Sequence, residues 1–281
     1  KCFTYKVYLL QMKILKNIND LTKAIYKTSN LGFVPTMGGL HEGHISLIKK
    51  SKKKCNKTLV SIYINPTQFN NKKDFKNYPR SIEKDLSILK KLNIDFVFLP
   101  DTKEIYANNK KIKVKIKKKD KVLCAKFRKG HFEGVIDIID RFLFIIKPKY
   151  IFLGEKDYQQ FFLINKYLQK KYKTNFVLCK TIRDKNFMAL STRNFLLSKK
   201  SLKKAGYIAK KLINIKKLII KKRNTKNITN IIKEDLIKIF NIKIDYLEIR
   251  NKKTFEINKV DKDIKLFIAY HINKIRLIDN F

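Results

Sequence analysis

The sequence predicts an α/β fold, with a parallel-sheet N-terminal domain and a smaller α+β C-terminal domain, and three observations carry that prediction. From residue 32 to residue 182, short apolar runs alternate with amphipathic stretches long enough for helices. Seven of the eight Gly and all five Pro mark the edges of those segments or the turns between them. Beyond residue 183 the texture changes to long Lys-rich helical stretches with two further short apolar runs. Strands that alternate with helices are joined by right-handed crossovers, which makes their sheet parallel. Gly and Pro punctuate such a chain because one admits positive φ and the other fixes φ and ends an element.

In order, residues 32–36 form a strand, and 45–54 a helix opened by a Gly-rich turn. Residues 59–64 are a second strand ended by Asn65-Pro66, 82–92 an amphipathic helix, and 94–99 a third strand ended by Pro100. Helix 134–147 stops before Pro148, strand 150–153 closes on Gly154, and helix 158–169 leads to strand 176–182. That succession is Rossmann-like. The second domain reads as helices 198–222 and 228–240 and strands 244–249 and 266–270; with one Gly and one His it is expected to hold less chemistry. The Lys-dense run 110–121 reads as an exposed loop or hairpin. The expected domains are 12–183 and 184–281, the second a lid. Residues 1–11, ahead of Met12, are expected to add nothing to the fold.

Composition narrows the class. Hydrophobic residues make up 44% of the 281, enough to exclude a disordered chain, and no uncharged apolar run is long enough for a membrane span. The formal charge of +43 points toward polyanions, but 58 of the 66 basic residues are Lys spread along the whole chain. A nucleic-acid reader clusters its cations and favours Arg, so a solvated Lys-rich surface is expected rather than a specific nucleic-acid partner. Cys2, Cys55, Cys124 and Cys179 show no metal or redox spacing and imply reduced thiols in a cytoplasmic setting.

In parallel sheets ligands bind beyond the carboxyl ends of the strands, so the turns that follow strands carry the argument. The first is Met37-Gly38-Gly39-Leu40-His41-Glu42-Gly43-His44. Glycines there let backbone approach a polyphosphate, the helix start offers free N–H groups, and two His three apart share one face. A zinc site is the weaker reading, because no third ligand lies at a usual spacing. The second strand ends at Asn65-Pro66-Thr67-Gln68, whose uncharged amides suit hydroxyl groups. Gly154-Glu155-Lys156-Asp157 repeats the strand-to-helix geometry, with Lys156 for phosphate, Asp157 for ribose hydroxyls and Gln160 one turn on, able to face Gln68. Ser191-Thr192-Arg193-Asn194 combines hydroxyls with a guanidinium at the domain junction. Arg128-Lys129-Gly130-His131 is a further polar cluster. Each segment also has a plainer reading, as capped helix start, Asn-Pro turn or surface loop.

Taken together these segments resemble the pantothenate synthetase (pantoate–β-alanine ligase) family of the nucleotidylyltransferase superfamily. Val34 to Gly38, Asn65 to Phe69, Tyr78-Pro79-Arg80, Arg128 to Val135, Gly154 to Gln160, Ser191 to Asn194, Asp245 to Glu248 and Arg276 to Asn280 carry the resemblance. It implies a ligase that forms pantoyl adenylate from pantoate and ATP, releases pyrophosphate, and passes the acyl group to β-alanine with release of AMP. It further implies catalytic roles for His44, His41, Lys156, Ser191 and Arg193. ATP binding falls to Met37, Gly38, Gly39, Leu40, His41, Glu42, Gly43, His44, Gly154, Glu155, Lys156, Asp157, Ile182, Leu190, Ser191, Thr192 and Arg193. Gln68, Gln160, Asn65, Arg128 and His131 are the implied substrate-binding residues. Mg2+ is the implied cofactor, Asp85 the candidate metal residue, and a homodimer the implied assembly.

Departures from the family pattern are Gly39 for Ala, expected to be harmless, Thr192 for Ser, Ala125 for Gly, Lys129 for Pro, Lys84 at an often acidic place, and Asn273 for Gly. Asn186-Phe187 stands for Asp-Gly, and since Phe disfavours positive φ the turn there is expected to differ in shape. The rivals are another small-molecule nucleotidylyltransferase, or a Lys-rich polyanion-binding protein on a decayed ligase fold.

Overall fold

The computed structural model describes residues 12–70, 75–76, 78–79, 81–106, 114–222, 228–257 and 263–281; the expectations for residues 1–11, for Arg80 and for the start of the Lys-dense run lie outside the described residues. Six strands form one parallel sheet: β1 (Lys13–Leu15), β2 (Leu31–Thr36), β3 (Lys57–Ile62), β4 (Phe96–Phe98), β5 (Tyr150–Gly154) and β6 (Asn175–Cys179), in the order β1-β4-β3-β2-β5-β6. Consecutive residues of the central strands serve opposite faces, as the strand period requires. Phe33, Leu59 and Ile151 pack into one core with α1 (Ile18–Ile25), α4 (His131–Ile146) and α5 (Tyr158–Leu168). Their neighbours Val34, Val60 and Phe152 pack into the other with α2 (Glu42–Lys54) and α3 (Ile82–Lys91). Coverage on both faces is why these strands read as continuous apolar runs rather than alternating ones.

Strand β2 pairs with β3 on one side and β5 on the other. The strand order reverses there, so the loops leaving β2 and β5 diverge and open a crevice at the sheet's carboxyl edge. Those are the two Gly-containing turns of the sequence, brought side by side.

In the C-terminal part, α6 (Lys199–Lys222) and α7 (Ile228–Phe240) cover an antiparallel sheet of β7 (Lys243–Asn251), β8 (Ile264–Ile272) and β9 (Ile275–Asn280). Asn273 at φ 55 turns β8 into β9, a conformation Asn tolerates, so its departure from Gly is absorbed by the hairpin.

Four expectations need correction. β1, α1 and β9 are not anticipated: β1 is a three-residue edge strand, α1 precedes the first Gly or Pro marker, and β9 is broken up by Arg276, Asp279 and Asn280. Helices α2 and α4 start earlier, at Glu42 and His131, because His41 caps the first and Gly130 at φ 80 opens the second. In the described part of the Lys-dense run, Ile116 and Asp120 are buried, with Asp120 accepting from Lys166 at 2.6 Å and Tyr167 at 2.9 Å. Finally, Phe187 does take φ 70. Asp184 ties this turn down by accepting the N–H groups of Asn186 and Met188 at 2.9 Å each, against a cost of about 1 kcal/mol for a left-handed non-Gly residue.

Candidate active site

The loop after β2 is anchored from three directions. Thr36 accepts the N–H of Gly38 at 3.2 Å, the Asp85 carboxylate accepts those of Gly39 (2.9 Å) and Leu40 (2.8 Å), and the Thr192 hydroxyl donates to the Gly39 carbonyl at 3.2 Å. Gly38 and Gly39 both hold positive φ there, 79 and 64. A Cβ on Gly39 would lie 2.4 Å from the Thr192 methyl and 2.8 Å from the Pro79 carbonyl oxygen. Gly39 is therefore not an indifferent departure: with Thr in place of Ser at 192, the methyl occupies the space an alanine would need.

This rigid loop delivers the histidine pair. Nδ1 of His41 accepts the N–H of Gly43 at 3.1 Å, and Nδ1 of His44 accepts the N–H of His41 at 3.4 Å. Each ring thus spends its lone pair on backbone, which leaves the proton on Nε2. Burial, with Lys156 second, lowers the His41 pKa to about 4; burial, His41 and Lys156 lower that of His44 to about 3. At neutral pH the pair consists of two uncharged imidazoles with ring centroids 4.1 Å apart, each with an Nε2–H donor.

A cavity of about 260 Å³ lies above the sheet edge, and it gathers Met37, His41, Gly43 and His44 with Asn65, Gln68, Arg128, His131, Gly154, Lys156, Asp157, Gln160, Ile182, Leu190, Ser191, Thr192 and Arg193. The imidazoles and the paired glutamines share one site. Lys156 Nζ is 3.5 Å from Asp157, and Ser191 accepts the N–H of Arg193 at 3.3 Å, which shapes that turn. The side-chain amide of Gln160 makes no hydrogen bond among the described residues, whereas Gln68 donates to the Met37 sulfur. His131 is buried, its Nδ1–H donating to the Gln68 carbonyl and its Nε2 accepting from Arg128, both at 2.8 Å. Burial, then the Arg128 charge, lowers its pKa to about 3, which keeps Nε2 free to accept. His131 accordingly holds Arg128 in place instead of facing a ligand on both nitrogens.

Other expected residues are placed differently. Gly38, Gly39, Leu40, Glu42, Glu155 and Asp85 do not line the cavity. The first three form the anchored bend, and Glu42 is an exposed first-turn residue of α2. Glu155 pairs with buried Lys265 at 2.9 Å. Asp85, 2% exposed, accepts a loop N–H group on each oxygen and so anchors the loop. No cluster of three His, Cys, Asp or Glu able to hold a metal occurs among the described residues. Asn65 lines the cavity, but its amide is committed: the oxygen accepts from Thr67 and Tyr106, and the nitrogen donates to Gly134. It sets the turn that presents Gln68.

Sequence reasoning missed the contribution of the C-terminal domain. Tyr246, Arg276, Asp279 and Asn280 line the cavity, as do Tyr78 and Lys180 from the N-terminal part. Asn280 donates to the carbonyls of Glu155 (2.9 Å) and Lys156 (2.8 Å), and Arg183 grips Asp279 through both terminal nitrogens at 2.8 and 2.9 Å. The available signals were the resemblances at Tyr78, at Asp245 to Glu248 and at Arg276 to Asn280.

The family profile described as pantoate-beta-alanine ligase matches residues 12–281. Pantothenate synthetase of Clostridium botulinum is 39% identical over 277 residues, covering 96% of this chain and 99% of its own, and that of Fervidobacterium nodosum is 36% identical over 278, covering 96% and 98%. Among solved structures, pantothenate synthetase from Thermus thermophilus superposes with a TM-score of 0.90 at 27% identity, covering 96% of this chain and 99% of that one. Pantoate-beta-alanine ligase from Francisella tularensis, complexed with beta-gamma ATP and beta-alanine, gives 0.79 at 34%, covering 96% and 97%. The chain belongs to the pantoate-beta-alanine ligase family, and the activity this membership carries is the ATP-dependent formation of pantothenate from pantoate and β-alanine.

Proposed function

We propose that this member of the family runs its ligation as two displacements in the one cavity. The pantoate carboxylate attacks the α-phosphate of ATP, forming the P–O bond of pantoyl adenylate as pyrophosphate leaves. The β-alanine amine then attacks the acyl carbon, forming the amide and releasing AMP. The observation that carries this reading is the neutral imidazole pair. Two Nε2–H donors fixed by backbone hydrogen bonds stabilise charge that develops on the phosphates without having to reorganise.

His44 is the principal catalytic donor and His41 its neighbour. Lys156, Ser191 and Arg193 hold the phosphates, with Met37, Gly43, Gly154, Asp157, Ile182, Leu190 and Thr192 completing the ATP site. Gln160, with its unengaged amide, and Gln68 hold the pantoate hydroxyls; Arg128, steadied by His131, serves the organic acid. No cluster of three metal-binding side chains occurs among the described residues, so Mg2+ is proposed as an ion carried chiefly by the nucleotide's own phosphates.

Residues 184–281 serve as the lid of a Rossmann-like domain at 12–183, with the turn at 183–190 as hinge, and closing them excludes water from the adenylate. A cytoplasmic homodimer belongs to the same proposal, and light scattering of the purified chain tests the dimer. No helix among the described residues is long and apolar enough to cross a membrane.

The test of the chemistry is isotope exchange between pyrophosphate and ATP. We expect exchange that requires pantoate and proceeds without β-alanine. Exchange that is indifferent to pantoate contradicts the two-step reading.

A further inference from the structure

Among the cations lining the cavity, Arg276 stands apart because it arrives from the C-terminal domain, on β9. Its Nε donates to Asp245 at 2.7 Å, and the other oxygen of Asp245 meets His271 Nε2 at 3.0 Å. That fixes the stem of the guanidinium and leaves the fork. Both terminal nitrogens face the sulfur of Cys124, at 3.5 and 3.6 Å, and that thiol is already shared with the Tyr246 hydroxyl at 3.0 Å. A thiol is a weak acceptor, whereas a guanidinium fork matches a carboxylate bidentately. Among the described residues the fork of Arg276 finds no carboxylate.

Its location points to one end of the cavity. The N–H of Cys124 donates to Gln159 at 3.0 Å, and Gln159 precedes Gln160 on the first turn of α5. That chain of contacts ties Arg276 to the helix start that carries Gln160, and both residues line the cavity. Of the two carboxylates the reaction brings in, pantoate's is consumed as nucleophile toward ATP and has to lie at the α-phosphate. Only the carboxylate of β-alanine stays intact and in need of a partner throughout. We propose that the fork of Arg276 receives the β-alanine carboxylate, so that the C-terminal domain supplies the specificity group for the second step. This rests on the two-step reading above. Arg276 also borders a small recess beside Lys156 and Arg193, which makes a phosphate the rival ligand.

Arg276→Gln and Arg276→Lys test it, with the two half-reactions measured separately. For Arg276→Gln we expect the KM for β-alanine to rise about 10- to 100-fold while pantoate-dependent pyrophosphate–ATP exchange stays within about threefold of the unaltered protein. Arg276→Lys, which keeps the charge without the fork, should fall between. A second readout uses n-propylamine, which carries a methyl group where β-alanine has its carboxylate: the preference for β-alanine over n-propylamine should shrink by a similar factor in Arg276→Gln. An unchanged preference, with only a lowered Tm, would make Arg276 structural and overturn the proposal. Exchange that falls as far as the second step would assign the fork to phosphate and overturn it as well. Should Arg276→Gln fail to fold, Arg276→Lys alone decides by the same preference. Absence of pantoate-dependent exchange in the unaltered protein is a different failure, that of the two-step reading.

Discussion

The loop that carries the histidines and the wall that carries the glutamines and Arg276 are built on opposite plans. Around residues 36–44 the backbone and side-chain polar groups are tied to Thr36, Asp85 and Thr192, and both imidazoles are locked in one tautomer. On the other wall, the Gln160 amide has no hydrogen-bond partner among the described residues, and the Arg276 fork meets the Cys124 thiol and the Tyr246 hydroxyl but no carboxylate. A group that must stabilise a transient charge gains from being fixed in advance. A group that recognises a substrate has to keep its hydrogen-bonding capacity open until the substrate arrives. The two walls therefore divide rate from recognition.

That division can be broken at either wall. The largest effect is expected at the fixed one: His44→Ala should slow adenylate formation by about 10² or more in single-turnover pyrophosphate release, with little change in KM for pantoate. At the open wall, Gln160→Ala should raise the KM for pantoate about tenfold and leave Tm unchanged, because no internal hydrogen bond is lost. Equal effects on rate and KM in both variants would erase the distinction.

Smaller effects sharpen it. Gly39→Ala should destabilise the fold by about 2 kcal/mol, through the collision with Thr192 and the positive φ, and Gly39→Ala with Thr192→Ser should recover roughly half. Denaturant melts of the four members of that cycle measure the coupling. The smallest effect is on pH dependence. His41, His44 and His131 keep folded pKa values of about 4, 3 and 3 against an ordinary 6.5, so between those limits the unfolded chain binds more protons. Stability should be at its full value above about 6.5 and fall as the pH drops toward 4, and thermal melts through that range check the sign.

How much of this was legible depended on how local its cause was. The crevice at β2 and β5 could be read, because a strand, a Gly turn and a helix start are adjacent in sequence. The double role of the His41–His44 segment could be read only in part: the spacing showed a shared face, but the tautomers follow from backbone N–H groups that the fold aims at Nδ1. The anchoring bonds of Asp85 and Asn65 could not be read because their partners lie far along the chain, 45 residues back for Leu40 and 69 residues on for Gly134. Residue type alone cannot tell an available carboxylate or amide from a committed one. Phe187 reversed its own preference because Asp184 ties down the turn around it. Arg276 was legible only through the tail resemblance, because its strand has a pattern broken by the residues it delivers to the cavity.

The most direct test of the fixed wall is the protonation state of its two imidazoles, read by nitrogen NMR of the histidine-labelled protein at about pH 6, close to the ordinary histidine value. Two neutral rings, each protonated at Nε2 and not at Nδ1, are the predicted result. An imidazolium at either position, or a proton on Nδ1 of His44, would contradict the account.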